Sequence, residues 1–481
     1  MKMLTSLKTS LVVATFLVVS GTSYAMEPIP GEDRFAQSTG GDSSSFMAGA
    51  TFGQIGDDVY MQISPRFEFS AGKWGFGLQV PLNLLVWEYQ DDSTVIRQED
   101  WDEPSDFFRM IRYVQYGHKR DPLYARFGTL ASDIGHGTIM SRYLNTADLN
   151  TFRPGLHTEI NLDFGGIELM TSDVVTLWGQ SSLSQLVGTR VHVKPMGFVD
   201  PESVFNIFAV GFSYVADLNA PGTLSTVTDA EGNTTFEIDD DGRYVVAESG
   251  SLGVIGIDVE ADVLNTDVLD ILLYTDYNMI GDAGNGLHIG TLMDFNFSLG
   301  ISVRMPVRFE YRIFDADYIP QYFNSFYEIE RFSVLADGVS GLTKKTMVQG
   351  LLGEGDDNDQ LTGYYGDLAF DFAGLVQIGG ILEAYEGRDN IMTMFASVPA
   401  LEIVKAKAYY AKTGIEDAGD AFKLDDRSLL IAQAEYEIYP SLYFVGRFTR
   451  RWVLETEGSE AGSYVSNDDW SAGIDFSFDF N

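Results

Sequence analysis

The sequence predicts an all-β fold: a single transmembrane antiparallel β-barrel of about 16 to 20 strands, with short turns at one rim and long acidic loops at the other. Three observations carry that expectation. Apolar and polar residues alternate along most of the chain. Long joins between the alternating stretches take turns with short ones. Beyond the N-terminal segment, no run of roughly 18 apolar residues is present to make a membrane-crossing helix.

The alternation is cleanest from Leu299 to Phe314. Ile301, Val303, Met305, Val307, Phe309, Tyr311 and Ile313 share one face, and Arg304, Arg308, Glu310 and Arg312 share the other. Successive strand side chains point to opposite faces, so one face here is apolar and the other charged. A soluble sandwich would turn the apolar face to a core. A membrane barrel turns it to lipid and encloses the charges.

The start of the chain favours the membrane. Lys2 and Lys8 flank the apolar stretch Leu11 to Val19, and Ser23-Tyr24-Ala25 is a small-x-small cleavage site. Residues 1–25 therefore read as a secretory signal peptide. Residues 26–44 are a flexible, polar lead-in, and 45–481 form the barrel. Alternation from Met47 onward leaves no N-terminal plug domain.

Composition narrows the function. The 481 residues hold 31 Lys and Arg against 70 Asp and Glu, a net charge of -39, which excludes a nucleic-acid partner. The chain has no cysteine, so thiolate catalysis and cysteine metal sites are excluded. Aromatic residues at 13% and 49 glycines suit interfacial girdles and tight turns.

Strands follow in order. Val59 to Phe69 and Trp74 to Leu84 alternate, although Pro65 and Pro81 each remove a ladder donor. Leu123 to Thr129, His157 to Phe164, Thr189 to Lys194, Ile257 to Asp262 and Ala432 to Ile438 continue the pattern, whereas 107–117, 203–217 and 389–398 alternate poorly. Short joins are expected at Gly72, Gly165-Gly166, Asn296-Phe297-Ser298, Ala373-Gly374, Pro399-Ala400 and Pro440-Ser441. Long external ones are expected at 89–106, 131–155, 218–250, 315–358, 415–426 and 456–466.

The last strand sets Ile474, Phe476, Phe478 and Phe480 against Asp475, Ser477 and Asp479. With the signal peptide and the loop pattern, this ending resembles the outer-membrane β-barrel proteins of Gram-negative bacteria, which finish on an amphipathic strand with a terminal aromatic. Here Phe480 is penultimate and Asn481 last, a departure from that pattern. The resemblance implies a place in the cell outer membrane, with lipid and lipopolysaccharide as surroundings. It also implies a porin-like channel for passive diffusion of small hydrophilic solutes or ions. The alternatives are a specific uptake or export channel for an anionic solute or polysaccharide, and a non-conducting surface adhesin.

In the barrel reading, the polar faces line a lumen. The basic candidates are Arg66, Arg126, Arg190, Lys194, Arg304, Arg308, Arg312, Lys405, Lys407, Arg447 and Arg451. The acidic ones are Asp258, Glu260, Asp262, Asp270, Asp276 and Asp294, an acidic arc beside the Arg304/Arg308/Arg312 ladder. The 131–155 join is the candidate constriction loop. It carries Ile139, Met140, Leu144 and Leu149, awkward in water, together with His136, Arg142, Tyr143, Asp148 and Arg153.

No cofactor or metal motif is present. The acidic stretches 229–242 and 354–360 lack EF-hand spacing and read as solvated loops. Nor is an enzyme expected. The five histidines are His118, His136, His157, His192 and His288, and there is no GxSxG or HExxH motif. His157, Glu159 and Asp163 share a strand face, but a spacing of two sets residues about 6.5 to 7 Å apart.

Overall fold

The computed structural model describes residues 44–55, 58–87, 95–97, 100–101, 106–119, 121–145, 153–175, 183–228, 234–237, 244–281, 284–332, 343–348, 360–398, 403–415, 417, 419–454 and 464–480. The signal peptide, most of the lead-in and the 354–359 acidic stretch lie outside the described residues.

Period-two alternation produces strands throughout, and antiparallel pairing joins them into a closed barrel of 20 strands. Closure is direct. The first strand, Ser44–Ile55, pairs with Asp58–Ala71 on one side and with the last strand, Tyr464–Phe480, on the other (Ser44 opposite Phe480, Phe52 opposite Ala472). No sheet edge is left at that seam, as hydrocarbon requires of every backbone polar group. Pro65 is accommodated inside a continuous strand opposite Ala48, whereas Pro81 splits the next one into Trp74–Gln79 and Leu82–Trp87.

The weakly alternating segments are strands as well: Ile111–Tyr116, Phe208–Leu224 and Ile391–Val398. Phe208–Leu224 and Val246–Asn265 run on into what the sequence reads as a 218–250 loop, pairing as far as Leu224 opposite Val246. The expected turn at Asn296-Phe297-Ser298 lies three residues later. Those residues pair with Arg304, Val303 and Ser302, and the chain reverses at 299–301, where Gly300 takes a φ of 86°. Glycine adopts that angle without a Cβ penalty.

One rim carries the short turns 72–73, 163–164, 266–268, 299–301, 373–375 and 440–441. A longer join there holds the helix Pro195–Val199. The other rim carries the long joins, including one at 172–185, but three connections on it (56–57, 281–283, 386–390) are short. The strict alternation of long and short therefore fails at those three.

Exposure follows the pleat. Ile255, Ile257 and Val259 are exposed while Asp258 between them is buried, and Tyr277 and Met279 flank a buried Asn278. Trp74, Phe164, Phe198 and Tyr439 are exposed near the short-turn rim, and Phe52, Tyr277 and Tyr364 near the other, as interfacial girdles. No helix among the described residues is long and apolar enough to cross a membrane. The strands cross instead, and the fold is that of an outer-membrane β-barrel.

The lipid-facing assignment has a measurable cost. Ile257→Arg, at mid-strand on the outer face, should destabilise the barrel by about 2–4 kcal/mol, and Val268→Arg in the 266–268 turn by about 0–1 kcal/mol. Urea titration of refolding into lipid vesicles measures both, and equal costs would remove the assignment.

Candidate functional site

The barrel interior is occupied by the chain itself. The 131–145 segment turns inward as a hairpin of Ala131–Ile134 and Met140–Leu144, with Ser132 opposite Tyr143. Gly135 and Gly137 take positive φ at its tip (60° and 75°). Gly137 also allows a close approach to the wall, since a Cβ there would stand 2.8 Å from an Arg308 guanidinium nitrogen. Ile134, Ile139, Met140 and Tyr143 are buried in one cluster with Val215 and Val254 of the wall.

A second segment, 316–332 with the helix Lys344–Val348, folds against the first. Ser141 donates its amide to the Phe323 carbonyl at 3.0 Å, and Gln321 donates to that of Thr138 at 3.0 Å. The sequence expectation of an external acidic loop at 315–358 is overturned for these residues. Tyr318, Tyr322, Phe323 and Tyr327 are fully buried, and apolar area of that size leaves water wherever a surface accepts it. Five aromatic residues within 318–327 were the sequence signal for this.

Glu328 joins the two segments to the wall. Its carboxylate accepts hydrogen bonds from Arg153 (2.6 Å), Ser184 (2.6 Å) and the Tyr143 hydroxyl, with Arg331 3.8 Å away. All of these groups are buried. Burial raises the Glu328 carboxyl, but the Arg153 and Arg331 guanidiniums outweigh it and hold the group below the usual carboxylate range. Burial, then Glu328 beside it, pushes the Tyr143 hydroxyl well up. Tyr327 adds a 2.8 Å bond to Asp217 of the wall. Of the loop candidates, Arg153 and Tyr143 therefore meet at Glu328, which the sequence reading missed. Arg142 pairs with Asp367 of the wall, and Asp148 lies outside the described residues.

His136, at the hairpin tip, stacks on Tyr274 with ring centroids 4.2 Å apart and sits 2.9 Å from Asp276 and 2.7 Å from Glu260. Arg190 comes from the other side to Asp258 (2.7 Å), Glu260 (3.0 Å) and Glu168 (3.4 Å). The arginine ladder is present on the inner face, yet each rung is paired: Arg304 with Asp294 (2.6 Å), Arg308 with Glu310 (2.7 Å), Arg312 with Glu310 (2.6 Å) and Glu383 (3.2 Å). The acidic candidates lie on the three consecutively paired strands that lead to this ladder, and Glu310 interleaves with the arginines themselves.

The remaining candidates spread out. Asp262 and Asp270 are half-buried toward the short-turn rim, and Lys194 precedes the helix at that rim without a side-chain hydrogen bond to it. Arg126 donates to Gln115 and to the Thr129 carbonyl, both at 2.8 Å. Lys405 lies 3.8 Å from Glu435, Lys407 is half-buried, and Arg66 is buried. The side chain of Arg451 lies outside the described residues. His157 reaches within 3.5 Å of Glu159, nearer than backbone spacing suggests, without a hydrogen bond on that nitrogen. Its other nitrogen meets the fully buried Ser132 hydroxyl at 3.0 Å.

On the strands Asp58–Ala71, Ser428–Tyr439, Leu442–Leu454 and Tyr464–Phe480, the inner face carries Gln62, Ser64, Gln433, Arg447 and Asp475. Each has a buried polar side-chain atom with no hydrogen-bond partner, Gln62 and Arg447 two each; such atoms also occur at Arg153, Arg312 and Tyr322, in and beside the inserted segments.

No protein-family model and no curated protein matches the sequence. Among solved structures, the chain is similar in fold to the outer membrane protein OpdK from Pseudomonas aeruginosa (8% identity, 91% of this chain and 98% of that one, TM-score 0.33). It is similar also to Wzi from Escherichia coli, titled a carbohydrate-binding β-barrel involved in group 1 capsule assembly (12% identity, 98% of each chain, TM-score 0.34). A third is the ferric-catecholate import receptor Fiu from E. coli K12 (10% identity, 91% of this chain and 82% of that one, TM-score 0.37). At such scores these likenesses carry no functional argument, and the barrel stands on its own strand pairing.

Proposed function

We propose that the protein is an outer-membrane channel for small hydrophilic solutes, with its width set by the two inserted segments. The observation that carries this reading is the polar inner face of the arc that holds Gln62, Ser64, Gln433, Arg447 and Asp475. A buried polar atom left without a partner costs about 1–3 kcal/mol, so a wall with several of them is stable only against water or a polar solute. The conduit runs along that arc, and the inserted segments cover the opposite one. A channel specific for anions along the arginine ladder has less support, because Arg304, Arg308 and Arg312 are all neutralised by carboxylates.

The inserted segments form the movable part. Their attachment passes through buried ion pairs, which contribute little net stability when intact but cost about 3–5 kcal/mol when one partner is removed. Every 1.4 kcal/mol is about a tenfold change in population. Glu328→Gln removes the carboxylate paired with Arg153, leaves Arg331 with Asp217 at 3.6 Å, and should increase channel opening in planar bilayers. Unchanged conductance in a correctly folded variant would argue against these segments as the gate.

The same lock is acid-sensitive. Because the folded carboxyl of Glu328 lies below its ordinary 4.5, its contribution is full above that pH and is lost as pH falls through the lowered value. Opening should rise on acidification below about pH 4.5 in the wild type and less in Glu328→Gln. Arg447→Glu tests the conduit: its reversal potential under a KCl gradient should move toward cation preference, and no movement would place the passage elsewhere.

A further inference from the structure

His136 of the inserted hairpin meets two wall residues that pair directly across neighbouring strands, Asp258 and Asp276. One donor atom from each of the three lies within 4.8 Å of the others, and all three side chains are buried. They border a cavity of about 10 Å³, which Ser213, Gly256 and Asn278 also line. That is room for one body the size of a water molecule.

Asn278 supplies the second observation. It is 1% exposed, and its amide nitrogen donates to the Thr138 hydroxyl (3.0 Å) and to the Tyr318 hydroxyl (3.3 Å). Its carbonyl oxygen is buried with no partner. That oxygen faces the space beside Gly256, where an added Cβ would stand 2.4 Å from it. The space exists because residue 256 has no side chain.

The histidine is oriented for ligation. Nε2 lies 2.7 Å from Glu260 and Nδ1 lies 2.9 Å from Asp276 beside the cavity, so an ion entering there takes the place of the proton between Nδ1 and the Asp276 carboxylate. A carboxylate on the far nitrogen is the usual way a metal-binding imidazole is held and made more basic. Stacking on Tyr274 fixes the ring plane. The Thr138 hydroxyl holds the other Asp276 oxygen at 2.6 Å. The four carboxylates of Glu168, Asp258, Glu260 and Asp276 outnumber the Arg190 guanidinium and the His136 imidazole around the cavity, an imbalance that a divalent cation offsets.

We infer that this cavity is a binding site for one divalent transition-metal ion of the Zn²⁺ or Mn²⁺ class, held by His136, Asp258, Asp276 and Asn278. One imidazole nitrogen with carboxylate and amide oxygens suits those ions better than Ca²⁺, which takes six to eight oxygens, or soft Cu(I). Because His136 belongs to the hairpin and the other donors to the wall, the ion latches the inserted segment in place.

The test uses the full-length mature protein in detergent, stripped with EDTA and titrated calorimetrically with Zn²⁺, Mn²⁺ and, for contrast, Ca²⁺. The expected result is one equivalent of Zn²⁺ or Mn²⁺, weakened at least roughly tenfold in His136→Gln and in Asp276→Asn and unchanged in His118→Ala. His136→Gln keeps a side-chain donor toward the wall, so the hairpin stays docked if Asp276→Asn proves unstable. Bound Zn²⁺ should also slow amide exchange across 131–145 in the wild type alone. Absence of binding, or binding that survives His136→Gln, would overturn the site and leave a cavity holding only a water. Neither readout requires the barrel to conduct, so the result is independent of the channel reading.

Discussion

Closing 20 strands into one sheet sets a circumference too large for the inward side chains to fill by themselves. Every inward group must then meet water or some other part of the chain. This protein does both, on different arcs. Over one arc it folds two of its own connections inward, excludes water, and accepts the consequence that each charge enclosed there needs a partner. Glu328 with Arg153, Arg142 with Asp367 and His136 with Asp276 each join an inserted residue to another segment or to the wall. Over the other arc, in the proposed channel, the polar inner face of Gln62, Gln433 and Arg447 meets water.

That division explains which parts of the sequence were legible. Alternation is local and survives wherever one face meets lipid and the other meets charge or water, as along Ser302–Asp315, so the barrel and a range of about 16 to 20 strands could be read directly. It fades where the inner face is dry. Phe208–Leu224 turns Val215 and Ala220 into the apolar cluster of the inserted segments, so both of its faces are apolar and the period disappears from the sequence. The 315–358 segment was misread for a related reason: its overall acidity concealed an aromatic stretch that needed burial.

The pairings were not legible, because they join residues far apart in the chain. Arg190 and Asp258 are 68 positions apart, His136 and Asp276 140, and Arg153 and Glu328 175. Only the closed barrel, with its fixed register, brings these residues to one height. The sequence set Glu310 between Arg308 and Arg312 on one face but offered no means of seeing that Asp294 and Glu383, on other strands, would complete the neutralisation. Residue types and faces are local properties; net charge at a point in the lumen is not.

The way the inserted segments are anchored bears on how they can move. An apolar plug held by area alone could slide by small steps, losing a little burial at each one. An ion pair in a dry interior behaves otherwise: drawing its partners slightly apart forfeits attraction before water can enter to replace it. Glu328 gathers Tyr143, Arg153, Ser184 and Arg331 around one carboxylate, so a displacement that breaks one of those contacts strains the rest. The hairpin and the 316–332 segment also share backbone hydrogen bonds at Ser141 and Gln321, which ties them into one body. Such a body is either docked with its charges met or released with them hydrated, and positions in between are the costly ones. In the proposed channel, buried charge therefore sets how sharply the inserted segments switch, more than how firmly the barrel holds together.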